Sequence, residues 1–212
     1  MADYKKPDYW QQKARSEGYP ARSVYKLMEL EKKFPLFKPC AGKANGLRVL
    51  DLGAAPGSWS LYLLREFAGR RQADKTFLCA ADLSPLSREF DKGLFDNDNF
   101  FFIQGDIMAA EILEAICAKG PYSVIISDAA PGTTGSHVVD AARSGELAQT
   151  VVAYAENALA KGGNLVLKIF QGDGSEDVLK RIKALFTTAK SFKPQACRGE
   201  SVETYFAGLG KK

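Results

Sequence analysis

A single lysine interrupts an apolar run near the end of the chain. Residues 165–170 read LVLKIF, so Lys168 stands in the middle of a predicted strand. A buried charge without a partner is costly. Lys168 therefore either extends its amine to the surface along a buried stem or has partners and a chemical role. Because burial and neighbouring cations favour a neutral amine, a lysine in such a place can act as a general base.

Polar groups also follow three other predicted strands. The glycine-rich turn 53–57 follows LRVLDLG, Asp82 ends TFLCAADLS, and Asp106 comes just after FFFIQG. Ligands of doubly wound sheets bind at the carboxyl ends of the strands. Asp82 could accept hydrogen bonds from both hydroxyls of a ribose, and Asp106 could reach an adenine edge. One such acid alone would more often be a cap, but the three features together favour a nucleoside cofactor.

The glycine-rich turn narrows the class of cofactor. Its sequence, GAAPG, matches neither G-x-x-x-x-G-K-[ST] nor G-x-G-x-x-G. An adenosine cofactor without a phosphate-binding motif indicates S-adenosylmethionine, since a dinucleotide would prefer the second pattern for its pyrophosphate. A nicotinamide oxidoreductase remains the alternative.

The elements that must position these residues alternate between strands and helices. Strands that are apolar on both faces indicate a buried, mostly parallel sheet, and we predict a doubly wound, Rossmann-like α/β fold with helices on both faces. The predicted helices include SWSLYLLREFAG, AAEILEAICAKG, SGELAQTVVAYAENALAKGG and SEDVLKRIKALFTTA. Residues 1–45 do not alternate, and two segments with helical spacing predict an N-terminal helical extension before the domain at 46–212. We expect one structural domain in all.

Composition limits the class of protein. The chain has 212 residues, 46% of them hydrophobic, and a net charge of +4, which permits an anionic partner without requiring one. The polar N-terminus and the lack of an apolar run of about 20 residues predict a cytoplasmic protein without a membrane contact. Four isolated cysteines and the single His137 argue against a metal site and against a Ser-His-Asp triad.

Seven motifs occur in the order found in a known family. They are ARSVYKLMEL, DLGAAPGSWS, ADLSP, QGD, SDAAP, GGNLVLKIFQG and SVETYFAG. Together they closely resemble the FtsJ-type (heat-shock) ribosomal RNA ribose 2′-O-methyltransferases, over nearly all of the chain from about Asp8. The resemblance implies a Rossmann-like methyltransferase fold, S-adenosylmethionine as the donor, and a ribose 2′-hydroxyl of a uridine in large-subunit rRNA as the acceptor.

The resemblance also implies which residues form the site. The catalytic residues of the family map onto Lys26, Asp128, Lys168 and Glu203, with Lys168 as the general base of an in-line methyl transfer. The cofactor contacts of the family map onto Gly57, Trp59, Asp82, Asp106 and Asp128. Two positions depart from the pattern. Ser58 replaces a glycine, and Gly132 replaces an asparagine that relatives often carry after the proline.

Most of these residues also have a plain structural interpretation. Lys26 could be a solvated helix lysine, and Asp128 could cap a turn. Glu203 could be an exposed residue of an edge strand. Trp59 could belong to the core, because it has helical spacing with Tyr62 and Leu63.

RNA is the predicted partner of a monomeric protein. Basic residues are frequent in and near the extension and could contact phosphates: Lys5, Lys6, Lys13, Arg15, Arg22, Lys26, Lys32, Lys33 and Lys38. Glu17, Glu29 and Glu31 are interleaved with them, as on an ordinary solvated helix. A tRNA ribose methyltransferase of the same family and a non-catalytic ribosome-assembly factor are the alternative functions.

Overall fold

One twisted sheet forms the centre of the molecule. The computed structural model describes residues 9–37, 46–69, 76–172, 174–198 and 201–212. In these ranges the sheet has seven strands in the order β3-β2-β1-β4-β5-β7-β6. Their bounds are β1 Arg48–Leu52, β2 Phe77–Asp82, β3 Phe100–Gln104, β4 Tyr122–Ser127, β5 Leu159–Phe170, β6 Phe186–Phe192 and β7 Glu203–Lys211. Strands β1 to β5 run parallel, and β7 is antiparallel to both β5 and β6. The predicted mostly parallel α/β sheet is confirmed.

Helices cover both faces of the sheet. They are α1 Tyr9–Ser16, α2 Val24–Lys33, α3 Ser58–Ala68, α4 Ala110–Cys117, α5 His137–Ala158 and α6 Ser175–Leu185. Successive strand residues point to opposite faces, and the two hydrophobic clusters divide accordingly. Val166 packs in the cluster that contains residues of α1, α2 and α3. Its neighbours Leu165 and Leu167 pack in the cluster that contains residues of α4, α5 and α6.

Two predicted helices have wrong boundaries. The helix predicted over 175–189 ends at Leu185, and Phe186–Phe192 forms the edge strand β6. This strand has little apolar character of its own, and its conformation depends on antiparallel pairing with the distant β7. The long helix α5 begins at His137, seven residues earlier than predicted. It ends at Ala158, and the chain enters β5 through a register shift in its pairing with β4.

The N-terminal extension is part of the same hydrophobic core. Leu27 and Leu30 of α2 are fully buried in the cluster on the α3 side of the sheet. The backbone N–H of Ala21 donates to Oγ of Ser58 at 2.8 Å, so the serine that departs from the family pattern joins the extension to α3. The predicted boundary at residue 45 lies outside the described residues. Within the described ranges, no helix is long and apolar enough to cross a membrane.

Candidate active site

The predicted ligand residues follow strands that end at one edge of the sheet. The register places Leu52 at the end of β1 beside Ala81 of β2 and Ser127 at the end of β4. Asp82 at the end of β2 pairs with Gln104 at the end of β3. The glycine-rich turn, Asp82, Asp106 and Asp128 therefore follow the carboxyl ends of neighbouring parallel strands, where such sheets bind ligands.

The glycine-rich turn lies against the loop that follows β4. Gly53 has a φ of +74°, and a Cβ at this position would lie 2.5 Å from Cα of Ala129. A larger residue would therefore be strained in its backbone conformation and would clash with the neighbouring loop. The close approach brings the turn after β1 next to the segment that begins with Asp128.

The carboxylates of Asp82 and Asp106 accept hydrogen bonds from nearby backbone amides and can accept further ones from a ligand. Asp82 accepts hydrogen bonds from Ala55 N at 2.9 Å and from Ser84 N at 2.8 Å. Asp106 accepts one from Met108 N at 2.9 Å. An ionised carboxylate has about four lone-pair sites, so the capping interpretation and the ligand interpretation are compatible.

Two exposed apolar side chains next to these carboxylates were not identified from the sequence. Leu83 directly follows Asp82 and is 67% exposed, and Met108 comes two residues after Asp106 and is 53% exposed. Large apolar side chains left in water beside polar anchors are typical of ligand sites. The only signal in the sequence was their position within two residues after the two acids.

Trp59 lies at the start of α3, and its side chain belongs to the core. The indole is 2% exposed, and its Nε1 donates to the carbonyl of Ser23 at 2.7 Å. The ring centroids of Trp59 and Tyr205 are 6.2 Å apart. The side chain of Trp59 is therefore a core residue, as its helical spacing with Tyr62 and Leu63 suggested. Gly57, in the left-handed conformation, directly precedes α3.

The four predicted catalytic residues come together as two ion pairs, which we call the lysine–carboxylate cluster. Nζ of Lys168 lies 3.0 Å from Oδ1 of Asp128 and donates to the carbonyl of Asp128 at 2.5 Å. Nζ of Lys26 donates to Oε2 of Glu203 at 2.9 Å. Lys26 and Glu203 are each only 8% exposed, and β7 lies between β5 and β6. The solvated-lysine and edge-strand interpretations of these two residues are therefore wrong.

The sheet register explains why the cluster forms. Lys168 of β5 pairs with Tyr205 of β7, and Phe170 pairs with Glu203. Successive side chains of a strand point to opposite faces. Lys168, Phe170, Tyr205 and Glu203 therefore all point to the same face as Val166. Helix α2 packs on that face and supplies Lys26, which is separated from Glu203 by 177 residues of sequence.

Tyr205 is a fifth member of the site and was not among the site residues predicted from the sequence. Its hydroxyl donates to Oδ1 of Asp128 at 2.6 Å, and its side chain is fully buried. Burial and the nearby carboxylate of Asp128 raise the pKa of Tyr205 well above its usual value, so the phenol remains a donor. The signal in the sequence was its place two residues after Glu203, on the same face of one strand.

The electrostatics of the cluster keep Asp128 and Lys26 charged. Burial alone would raise the pKa of Asp128, but the ammonium groups of Lys168 and Lys26 and the Tyr205 hydrogen bond outweigh it and lower that pKa. Burial would likewise lower the pKa of Lys26, but the carboxylates of Asp128 and Glu203 raise it. The site therefore holds a fixed anion and a fixed cation.

Asp51 is a second buried carboxyl that the sequence did not single out. It is fully buried, its Oδ2 accepts from Oγ of Ser60 at 2.7 Å, and no donor among the described residues reaches its Oδ1. Burial, partly offset by the Ser60 hydrogen bond, raises its pKa to about 7, and the negative charges of Asp128 and Asp82 add to this. A neutral Asp51 is therefore the favoured form below neutral pH.

An open cleft of about 260 Å³ leads to the lysine–carboxylate cluster. Four of its seven lining residues are basic and one is acidic: Arg22, Lys26, Lys168, Phe170, Arg198, Ser201 and Glu203. The exposed His137 begins α5. No group of three or more metal-ligating side chains occurs among the residues that the structure describes.

Comparison with known proteins agrees with this architecture. A ribosomal RNA methyltransferase from Plasmodium falciparum, 24% identical, superimposes with a TM-score of 0.72 over 91% of this chain and 98% of that one. The fold is thus that of the Rossmann-like methyltransferases. The sequence model of the FtsJ-like methyltransferase family matches residues 19–211, and the chain belongs to this family.

Sequence relatives span the whole chain. The protein is 46% identical to ribosomal RNA large subunit methyltransferase E of Treponema denticola, over 99% of this chain and 97% of that one. It is 43% identical to the protein of the same name from Oleidesulfovibrio alaskensis, over 97% and 92% of the two chains. Membership of this family favours methyl transfer over the oxidoreductase alternative.

Proposed function

We propose that this protein transfers a methyl group from S-adenosylmethionine to the 2′-hydroxyl of a uridine ribose in large-subunit rRNA. The observation that carries the proposal is the partly buried Lys168–Asp128 pair at the carboxyl edge of the sheet, in a chain whose relatives are named ribosomal RNA large subunit methyltransferase E. The basic cleft above this pair suits a polyanionic acceptor.

The residues at the edge of the sheet fit the proposed cofactor. Asp82 would bind the ribose hydroxyls, and Asp106 would bind the adenine edge. The exposed Leu83 and Met108 offer apolar surface for a base. The close approach at Gly53 leaves backbone, not side chain, to face the ligand, and Gly57 and Trp59 would contribute their main chain.

The cofactor, when bound, supplies a methyl group that is already activated by the positive charge of its sulfonium. The protein must align the acceptor hydroxyl and remove its proton. In our proposal, Nζ of Lys168 takes the proton from the 2′-hydroxyl, and the carbonyl and carboxylate oxygens of Asp128 orient that amine.

The two lysines of the cluster would then have different tasks. Lys26 has a raised pKa and stays charged, so it can hold the ribose or its phosphate but cannot accept a proton. Glu203 holds Lys26 in place. Asp128 orients Lys168 and, as a fixed anion, favours a cationic ligand in the adjacent site.

The Lys168→Ala variant tests the role of the base. We expect methyl transfer to fall by about a hundredfold or more, in the range of general-base contributions, with the affinity for S-adenosylmethionine kept in calorimetry. Lys180→Ala, which removes an exposed lysine paired with Asp177 on α6, serves as the control. Turnover of Lys168→Ala at the wild-type rate would contradict the proposed base.

A second experiment tests the acceptor. Methyl transfer from a labelled donor is measured on transcribed rRNA fragments, on whole large subunits and on tRNA, and the labelled ribose is mapped. We expect label in rRNA at a ribose 2′-oxygen. Label in tRNA alone would favour the tRNA methyltransferase alternative, and no label in any RNA would favour a non-catalytic assembly factor.

A further inference from the structure

We propose that the side chain of Trp59 is a positioning residue for Lys26, and that α3 thereby links the glycine-rich turn to this lysine. The inference rests on the proposed function, in which the main chain at Trp59 contacts the cofactor and Lys26 holds the acceptor. It gives the buried indole a task in the reaction, through another residue and without a contact to the substrate.

Lys26 is placed differently from the other members of the lysine–carboxylate cluster. Lys168 and Glu203 lie on paired strands, so the sheet register fixes their backbone. Lys26 lies on α2, outside the sheet, and α2 packs on it through apolar side chains such as Leu27 and Leu30. Apolar packing is not directional, whereas hydrogen bonds are. The position of Lys26 along the sheet therefore depends on the hydrogen bonds that hold α2.

One side of α3 supplies such hydrogen bonds. Tyr62 comes four residues after Ser58 and three after Trp59, and Arg65 follows three residues later, so the four side chains lie on one side of the helix. Each of them is hydrogen-bonded to the N-terminal extension. This side of α3 therefore fixes the orientation of the extension as well as covering it.

Trp59 is the member of this set that reaches the turn of α2 carrying Lys26. The carbonyl oxygen of Ser23 accepts from Nε1 of Trp59 at 2.7 Å, and it also accepts from the backbone N–H of Lys26 at 3.0 Å. The ring of Tyr205 lies 6.2 Å from the ring of Trp59 and 6.0 Å from Nζ of Lys26. The indole N–H thus holds the first turn of α2 directly beside the catalytic cluster.

The other end of the link is the glycine-rich turn. Helix α3 begins at Ser58, directly after Gly57, so Trp59 and the turn belong to one continuous segment of backbone. A displacement of the turn would move the indole and, through the carbonyl of Ser23, the backbone of Lys26. In this chain Ser58 adds a second hydrogen bond, from Ala21 N, where the family pattern has a glycine.

The proposed reaction gives this link a purpose. In-line methyl transfer requires the methyl group and the acceptor oxygen to be aligned, and a misplacement of about 1 Å can cost about a hundredfold in rate. The glycine-rich turn positions the donor, and Lys26 positions the acceptor. A direct hydrogen-bonded connection between the two keeps their relative position fixed.

The first test is Trp59→Phe in the full-length protein with large-subunit rRNA. The variant keeps an aromatic ring and removes the N–H. We expect kcat/KM for RNA to fall about five- to tenfold, the usual effect of one hydrogen bond, while the affinity for S-adenosylmethionine in calorimetry changes less than twofold.

Tyr62→Phe is the matched control. Its hydroxyl donates to Oε2 of Glu31 at 2.6 Å, so this variant removes a hydrogen bond between the same two helices, five residues beyond Lys26. We expect a similar decrease in melting temperature and a kcat/KM within twofold of wild type. Equal losses of kcat/KM in Trp59→Phe and Tyr62→Phe would mean that Trp59 only stabilises the fold.

A double-variant cycle tests whether Trp59 acts through Lys26. Single-turnover rates are measured for Trp59→Phe, Lys26→Met and the double variant at a temperature where all are folded. We expect the double variant to be as slow as Lys26→Met alone. Losses that multiply would show that Trp59 acts independently of Lys26 and would overturn the inference.

A second substitution keeps the test decisive if Trp59→Phe does not fold. Benzothienylalanine, incorporated at position 59 alone, has the shape of tryptophan with sulfur in place of the N–H. It should lower kcat/KM for RNA severalfold without a cavity in the core. A wild-type kcat/KM for this protein would contradict a role of the indole N–H.

The outcomes distinguish this inference from the proposed function. If wild type methylates rRNA and the loss of the indole N–H does not change kcat/KM, the positioning role is wrong and the methyltransferase activity stands. If wild type methylates no RNA, the proposed function fails, and hydrogen exchange of the Lys26 amide tests the link by itself. Exchange should accelerate in Trp59→Phe more than in Tyr62→Phe, and an unchanged rate in Trp59→Phe would refute the link.

Discussion

The hydroxyl of Tyr205 and the carboxylate of Asp128 are joined by a hydrogen bond of 2.6 Å. The oxygen that accepts it, Oδ1, also lies 3.0 Å from Nζ of Lys168. Tyr205 and Lys168 are paired across β5 and β7, so one sheet register aligns the donor and the amine on a single carboxylate oxygen. Asp128 is thereby held from two sides before any substrate arrives.

The Tyr205→Phe variant should impair methyl transfer without abolishing it. The lost hydrogen bond to an ionised carboxylate corresponds to about 1.5 to 3 kcal/mol, and Asp128 would orient Lys168 less well. We expect the single-turnover rate to fall about tenfold or more, while the affinity for the cofactor is kept. Tyr122→Phe is the matched control, because its buried hydroxyl donates to the carbonyl of Ile116, away from the site. Equal loss of rate in the two variants would contradict a specific role for Tyr205.

Removal of Lys26 should destabilise the protein more than neutralisation of Glu203. Lys26 balances the charges of both Asp128 and Glu203, so Lys26→Met leaves the half-buried carboxylate of Asp128 and the buried carboxylate of Glu203 without this cation. The loss of one partner from a buried pair typically costs about 3 to 5 kcal/mol, and we expect Lys26→Met to lie in this range and Glu203→Gln below it. Urea unfolding of both variants and of the double variant measures the difference and the coupling. Equal costs for the two single variants would show that Asp128 does not depend on Lys26.

Asp51 should make stability depend on pH in the direction opposite to Asp128. Its pKa is about 7 in the folded protein and about 3.9 in an unfolded chain. The folded state therefore holds a proton that the unfolded state has lost. Its contribution to stability is complete below about pH 4 and declines by about 1.4 kcal/mol per pH unit until about pH 7.

The Asp51→Asn variant should remove this decline. Asparagine can still accept the hydrogen bond from Ser60 but does not titrate. The difference in unfolding free energy between wild type and variant, measured by urea at pH 5, 6, 7 and 8, should change up to about pH 7 and then level off. A difference that is constant over this range would mean that Asp51 is already ionised at pH 5.

Ser58 should stabilise the attachment of the extension to α3. Ser58→Ala removes the acceptor of the Ala21 amide and leaves that N–H without its partner, at an expected cost of about 1 to 3 kcal/mol. Ser58→Gly, the residue of the family pattern, removes the same acceptor at the first position of α3, and we expect a similar cost. Hydrogen exchange of the Ala21 amide should accelerate in both variants. Unchanged exchange in Ser58→Ala would show that the hydrogen bond does not hold the extension.

Much of the site could be predicted because it follows the ends of strands. The positions of Asp82 and Asp106 after apolar runs, together with a parallel sheet, were enough to predict that these carboxylates lie at one edge, whereas Asp128 was predicted through the family resemblance. Lys168 could be recognised as unusual because its neighbours Leu167 and Ile169 are apolar. These are local patterns, which repeat every two residues in a strand and every 3.6 residues in a helix, so they can be identified from the sequence alone.

The partners of these residues depended on contacts between distant segments. The pairing of Lys26 with Glu203 and the donation by Tyr205 to Asp128 each join segments far apart in sequence. The edge strand β6 was mistaken for a helix for the same reason, since Phe186–Phe192 adopts its conformation through pairing with β7.

The sequence by itself therefore determined the class of fold, the family and the residues that carry charge near the sheet. Only the tertiary structure decided which charged groups pair, that Glu203 lies on an interior strand, and that Tyr205 donates a hydrogen bond to Asp128. The physical reason is that hydrophobic periodicity specifies which face of an element is buried, whereas the register between strands and the packing of α2 on the sheet specify which buried polar atoms lie within hydrogen-bond distance.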